Sequence, residues 1–205
     1  MELSNLSIPL SKIFFPASES IVGPERYDHL ITRTQELFAD FPFPANTYLR
    51  HHLVDGILPG LALYQILREE GLSQTDAIAI LDQTLETLFA EKARQMHRIG
   101  RVPFVYPILR LVIKPMMKEY PAEGWQIEWA ENSSRCVRFN MRSCFYHDTL
   151  SRLGAPELTA SFCKVDDQMY GEMSRQIEWQ RTQTIGRGDS LCNFCFANAA
   201  RMINK

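Results

Sequence analysis

The stretch Trp125-Gln126-Ile127-Glu128-Trp129-Ala130-Glu131-Asn132-Ser133-Ser134-Arg135-Cys136-Val137-Arg138-Phe139-Asn140-Met141 changes the rhythm of the chain. Trp125, Ile127 and Trp129 alternate with Gln126, Glu128 and Ala130, residues Glu131 to Ser134 supply a turn, and Val137, Phe139 and Met141 then alternate again. A period of two on both sides of a polar break predicts a β-hairpin. Further on, Ile177, Trp179 and Arg181 repeat the alternation, and Ile185-Gly186-Arg187-Gly188-Asp189 turns the chain into Leu191 to Phe196, a second hairpin.

Upstream of these hairpins the period is close to 3.6. Gly23-Pro24 precedes Leu30, Ile31, Leu37 and Phe38 at helical spacing, with Pro24 suited to a first turn and Pro42 marking the stop. A second helical stretch runs from Thr47 to about Glu70, with Pro59 expected to kink it and Gly71 closing it. Ser73-Gln74-Thr75-Asp76 resembles a capping box, after which Ala77, Leu81, Leu85, Leu88 and Phe89 form an apolar stripe ending near Gly100. An apolar helix follows, with Pro107 early and Pro121 beyond its end, and two shorter helical pieces lie between the hairpins. Helices first and hairpins later imply an α+β fold, a helical part packed on a small antiparallel sheet of about four strands. The expected organisation is a single domain over 1–205: an irregular arm over 1–22, a helical part over 24–120, and hairpins with intervening helices over 124–197.

At 205 residues and 45% apolar content, the chain can bury one substantial core. A formal charge of −2 without a Lys/Arg-rich run argues against nucleic acid as a partner. Five cysteines in a chain too large to need disulfide staples fit a reducing compartment, and Met1-Glu2-Leu3-Ser4-Asn5 carries no basic segment followed by a long apolar run. A cytoplasmic protein is expected. The most apolar stretch, Val102 to Met117, is interrupted by Arg110 and Lys114 and falls short of a bilayer span, so it reads as a core helix and membrane contact is not expected. The composition is compatible with a homo-oligomer.

The chemistry-bearing residues concentrate around three aromatic-flanked thiols: Cys144 before Phe145-Tyr146-His147-Asp148, Cys163 before Lys164-Val165-Asp166-Asp167, and Cys192 before Asn193-Phe194-Cys195. On a helix from Pro156 to Met173, Cys163, Asp166, Asp167 and Tyr170 stand at i, i+3, i+4 and i+7 and share a face. That face either looks to solvent around one small thiol or lines a site. Cys192-x-x-Cys195 invites a zinc reading, but on a strand an odd separation points the two thiols to opposite faces, which leaves Cys195 as a packing residue. Cys136 reads the same way. Arg181 could grip a substrate carboxylate by two parallel hydrogen bonds or pair with Glu128 or Glu178 across the sheet. Tyr146 and Tyr170 are further substrate-binding candidates. His52 joins them from the pair His51-His52, of which at most one can face a site, and His147 is the alternative base near Cys144.

Taken in order, Ile57-Leu58-Pro59-Gly60-Leu61-Ala62-Leu63-Tyr64, Cys144-Phe145-Tyr146, Gly154-Ala155-Pro156-Glu157-Leu158 with Phe162-Cys163 and Asp166-Asp167, Arg181-Thr182-Gln183-Thr184-Ile185-Gly186, and Cys192-Asn193-Phe194 resemble the L-2-amino-thiazoline-4-carboxylic acid hydrolase family over roughly residues 47 to 197. The resemblance implies hydrolytic opening of a small carboxylate-bearing cyclic amidine, cleaving a non-peptide carbon–nitrogen or carbon–sulfur bond. Water adds at the carbon between sulfur and nitrogen to give a carbamoylated cysteine. Asn193 departs from the aspartate expected there.

Two mechanisms follow. In one, Cys163 is the nucleophile and Asp166 or Asp167 moves protons, although neighbouring carboxylates raise a thiol pKa. In the other, Cys144, Cys163 and Cys192 hold one zinc or iron ion that activates water. The catalytic candidates are therefore Cys163, Asp166, Asp167, Cys144 and Cys192. A rival reading is a non-enzymatic small-ligand or tetrapyrrole-binding module. A further one is a peripheral membrane or partner-binding role for Val102 to Met117, flanked by Arg98, Arg101, Arg110, Lys114 and Lys118.

Overall fold

A computed structural model describes residues 14–42 and 44–202, which fall into two compact units, Met1–Thr84 and Leu85–Lys205. In the first unit, α1 (Phe14–Val22) precedes α2 (Pro24–Asp40). Residues 14–22 are therefore helical where an irregular arm was expected, and residues 1–13 of that arm lie outside the described residues. Pro24 occupies the first turn of α2, and Gly23, at φ 83, makes the break between the two helices without a Cβ penalty.

The expected helix over 47–70 is interrupted ahead of Pro59. α3 (Thr47–His52) passes through a π turn (Leu53–Ile57) into α4 (Leu58–Glu69). Leu58 donates its N–H to the Leu53 carbonyl, five residues back, and Pro59 has no N–H to continue the normal ladder. The whole Leu58–Tyr64 stretch is buried, so this motif forms core. Gly71, at φ 90, ends the helix. α5 (Gln74–Ile99) begins as the capping box predicts, with the Ser73 hydroxyl accepting the Asp76 N–H at 3.1 Å, and it runs across the boundary between the units.

In the second unit, α6 (Val105–Met116) buries Val105, Tyr106 and Ile113, but Ile108, Leu111, Val112 and Met116 are exposed. It is a half-covered helix where a core helix was expected. Then come β1 (Ile127–Asn132), β2 (Cys136–Met141), α7 (Phe145–Arg152), a 3-10 turn (Pro156–Leu158), α8 (Thr159–Tyr170), β3 (Ile177–Gln180), a second 3-10 turn (Ile185–Arg187), β4 (Cys192–Asn198) and α9 (Ala199–Met202). The strands form one antiparallel sheet in the order β1-β2-β4-β3, so the two predicted hairpins are present and join through β2 and β4.

Register sets the faces. Phe139 pairs with Phe194, Val137 with Phe196, Trp179 with Phe196, and Met141 with Cys192. Because side chains alternate, these residues share one face, and Cys136, Arg138, Asn193, Cys195 and Ala197 take the other. The first face carries an aromatic layer in which Phe139 stacks on Phe194 at 4.9 Å and Trp179 meets Phe196 at 4.9 Å. The fold is thus α+β, with the helices mostly N-terminal and the antiparallel sheet C-terminal.

Candidate functional site

α8 starts after Pro156, whose fixed φ suits a first turn, and its 3.6 period directs Cys163, Asp166, Asp167 and Tyr170 to one face as predicted. That face meets the aromatic layer of the sheet. Tyr170 lies 5.2 Å from Trp179 and 5.4 Å from Phe196, and the Trp179 indole N–H donates to Asp167 Oδ1 at 3.0 Å. Arg181 continues the β3 alternation one residue past the strand and points inward, its side chain 1% exposed. Its Nη1 donates to Asp166 Oδ2 at 2.7 Å, and its Nη2 meets Asp167 Oδ2 at 2.8 Å and the Cys163 carbonyl at 2.6 Å. Trp179 and Phe194 lie against its guanidinium, each 5.6 Å away. The partners of Arg181 are thus the helix carboxylates, and neither Glu128 nor Glu178 holds it.

The thiols gather beside this cluster. Cys192 accepts the Ile185 N–H at 3.2 Å, at the start of the second 3-10 turn. Gly186, in the same turn, passes so close to Cys163 that a Cβ there would stand 3.0 Å from its sulfur. Cys144, one residue ahead of α7, interacts electrostatically with both Cys163 and Cys192. Burial pushes the Cys144 thiol up to about 12, the other two sulfurs adding to the shift and the amides of His147 and Tyr146 opposing it. Burial likewise takes Cys163 up to about 11, against the pull of Arg181 and with Asp166 reinforcing it, and raises Cys192. At neutral pH the site holds three protonated thiols.

Asp166 behaves differently from an ordinary carboxylate. Desolvation raises it to about 6, and the Arg181 guanidinium opposes that rise. Burial works against the charge of Arg181, but Asp166 and Asp167 more than offset it and hold the guanidinium above its ordinary value. The group best matched to proton transfer near neutrality is therefore a carboxyl rather than a thiol.

Tyr146 lies within 5.1 Å of Phe162 and 6.4 Å of Trp125. Tyr120 was not singled out in the sequence. Burial holds its phenol well above the ordinary value, with Asp166, Tyr170 and Tyr146 adding to the shift. A lone tyrosine before Pro121 offers no sequence signal. Thr184, also not singled out, is 1% exposed with no protein partner for its hydroxyl, although it belongs to the Arg181-Thr182-Gln183-Thr184 segment. His147 Nδ1 lies 3.4 Å from the Thr159 hydroxyl. His52 is the last residue of α3 and belongs to the first unit.

Asn193 projects from the opposite side of β4 to Cys192. Its Oδ1 accepts the N–H groups of Thr182 and Gln183 at 2.9 and 2.8 Å, so it clasps the segment that follows Arg181. Cys136 and Cys195 share that same side, as strand parity requires. Among the described residues no group of three or more His, Cys, Asp or Glu side chains is placed to hold a metal ion.

A family model described as L-2-amino-thiazoline-4-carboxylic acid hydrolase matches residues 50–196. No curated protein and no solved structure matches the chain.

Proposed function

This chain belongs to the L-2-amino-thiazoline-4-carboxylic acid hydrolase family, and from that premise we propose that it opens a small carboxylate-bearing cyclic amidine with its own thiol and carboxyl groups. The observation that carries the proposal is the convergence of Cys163, Asp166, Asp167 and Arg181 on one helix-to-sheet contact, with a carboxyl raised to about 6 beside a protonated thiol. A thiol at about 11 is a poor nucleophile unaided, so it needs a base that takes its proton as it attacks.

In this reading Cys163 Sγ bonds to the carbon between the ring sulfur and nitrogen, Asp166 takes the thiol proton, and the ring nitrogen receives it. The ring carbon–sulfur bond then opens, the departing sulfur taking a proton from the amino nitrogen, and the carbon stays on Cys163 as a thiouronium-like adduct. Water adds there, Cys163 leaves as a thiol, and the product is a carbamoylated cysteine. Arg181 is a positioning residue, since its N–H groups are engaged by Asp166, Asp167 and the Cys163 carbonyl. Arg187, half-exposed and 3.9 Å from Asp167, is the cation this reading assigns to a substrate carboxylate.

The test is turnover of the thiazoline by wild type and by Cys144→Ser, Cys163→Ser and Cys192→Ser, each with a pH profile. Wild-type kcat/KM should climb with pH and level off above about 6, because Asp166 must be ionised to act as base. Asp166→Asn should remove that limb and lower the rate by about 10²–10⁴-fold. Full turnover by Cys163→Ser would refute the nucleophile assignment, and an unchanged profile in Asp166→Asn would refute the base.

A further inference from the structure

Seven of the eight exposed large apolar side chains among the described residues lie between Ile99 and Met116. Within and just before α6, Phe104, Ile108, Leu111, Val112 and Met116 recur at helical spacing, opposite the buried Tyr106 and Ile113. Leu111 is 78% exposed and Phe104 74%. Phe104 also sits at φ 62, a backbone region that a bulky residue seldom adopts, and it presents its ring to solvent there.

Along the chain, the charged residues from the end of the preceding helix through this stripe have one sign. From Lys92 to Lys118 the chain carries seven Lys or Arg residues and no Asp or Glu, although the whole protein has a formal charge of −2. Arg94 and Arg98 share the carboxylate of Glu91, Arg110 bonds the Asn132 side chain, and Lys114 lies 5.2 Å above the Trp129 ring. Those contacts of Arg110 and Lys114 involve no carboxylate, and Lys92, Arg101 and Lys118 are further cations of the segment. A second copy is a poor fit for this face, because a two-fold interface places the same patch on itself and would bring cations against cations.

We propose that the α6 face docks on an anionic lipid surface, with Phe104, Ile108, Leu111 and Met116 entering the headgroup boundary and Arg101, Arg110, Lys114 and Lys118 meeting the lipid charge. An apolar stripe edged by cations on a helix too short to span is the pattern of an interfacial helix.

The test is co-sedimentation of the full chain with vesicles of phosphatidylcholine alone or with about one-third phosphatidylglycerol. Binding is expected only to the anionic vesicles and should fall steeply as salt is raised. Replacing both Arg101 and Lys118 by Gln should weaken it by about fivefold per charge, and Leu111→Glu by at least about tenfold. Leu111 is exposed, so an unchanged far-ultraviolet spectrum and melt should show that its variant folds. Absence of sedimentation with either vesicle would overturn the proposal, as would equal binding to neutral vesicles. A concentration-dependent dimer abolished by Leu111→Glu, without vesicle binding, would also overturn it and assign the stripe to contact between copies.

Discussion

Arg181→Met tests the electrostatic core of the site. The wild-type guanidinium is 1% exposed and is shared by Asp166, Asp167 and the Cys163 carbonyl. Deleting one side of a buried ion pair costs about 3–5 kcal/mol, because the remaining charge is left uncompensated. Here the carboxylate side chains are 33% and 40% exposed, so water replaces part of the lost interaction and about 2–3 kcal/mol is expected at pH 8.

The loss should depend on pH with a definite sign. Asp166 is already raised to about 6 in the folded protein, above its value in an unfolded chain. Its contribution to stability is therefore fully present at low pH and is lost as pH rises through about 6. Since Arg181 lowers this carboxyl, the variant raises it further, and protonation removes the unpaired charge at pH 5. The deficit should then shrink to about half, with Asp167 accounting for the remainder. Urea unfolding followed by tryptophan fluorescence reads the relevant unit, because Trp125, Trp129 and Trp179 all lie in residues 85–205. Arg181→Lys should fall between wild type and Met, keeping the charge but not the two-sided grip. A loss equal at the two pH values, or larger at pH 5, would refute Arg181 as the counter-charge of Asp166.

The thiols should react slowly in the native protein. With Cys163 at about 11, its thiolate at pH 7.5 is a few hundredfold scarcer than that of a free cysteine, so disulfide-reagent labelling should lag the denatured protein by about that factor. Rapid native labelling of Cys163 would contradict its electrostatic setting. Gly186→Ala should perturb the site, since the added Cβ would stand 2.9 Å from the Thr159 methyl, 3.0 Å from Cys163 Sγ and 3.1 Å from the Ala160 amide. The backbone amide cannot swing away, so a stability loss of about 1–3 kcal/mol in thermal melts is expected. A neutral melt with unchanged thiol labelling would mean the turn yields freely.

Periodicity carried most of the fold because each element answers to a local rule. Pro24 and Pro42 bracket α2, Ser73 caps α5, and the alternation from Trp125 onward yields β1 and β2. The rules failed where two demands met in one segment. Pro59 predicts a kink at its own position, yet the backbone adjusts upstream through Leu53–Ile57, where the missing N–H can be accommodated. The Val102 to Met117 stretch looked like core because it is apolar, and composition alone cannot tell a covered face from a bare one. Helical spacing placed Cys163, Asp166, Asp167 and Tyr170 together, whereas Tyr120 enters from a distant loop and leaves no periodic trace.

The convergence of three distant thiols has a topological cause. β2 pairs with β4 so that Met141 stands opposite Cys192, and Cys144 follows Met141 by three residues. The strand register thereby delivers Cys144 to the same end of the sheet as Cys192, and α7 and the short turn after it lead the chain into α8, which brings Cys163. A one-residue slip between β2 and β4 would turn Cys192 to the far side and put Asn193 in its place. Asn193 resists that slip, because its side chain already holds Thr182 and Gln183 from the other face and fixes the segment that carries Arg181. Asn193 thus acts through the backbone on the segment that carries Arg181, where an amide oxygen can accept the same two N–H groups as a carboxylate oxygen.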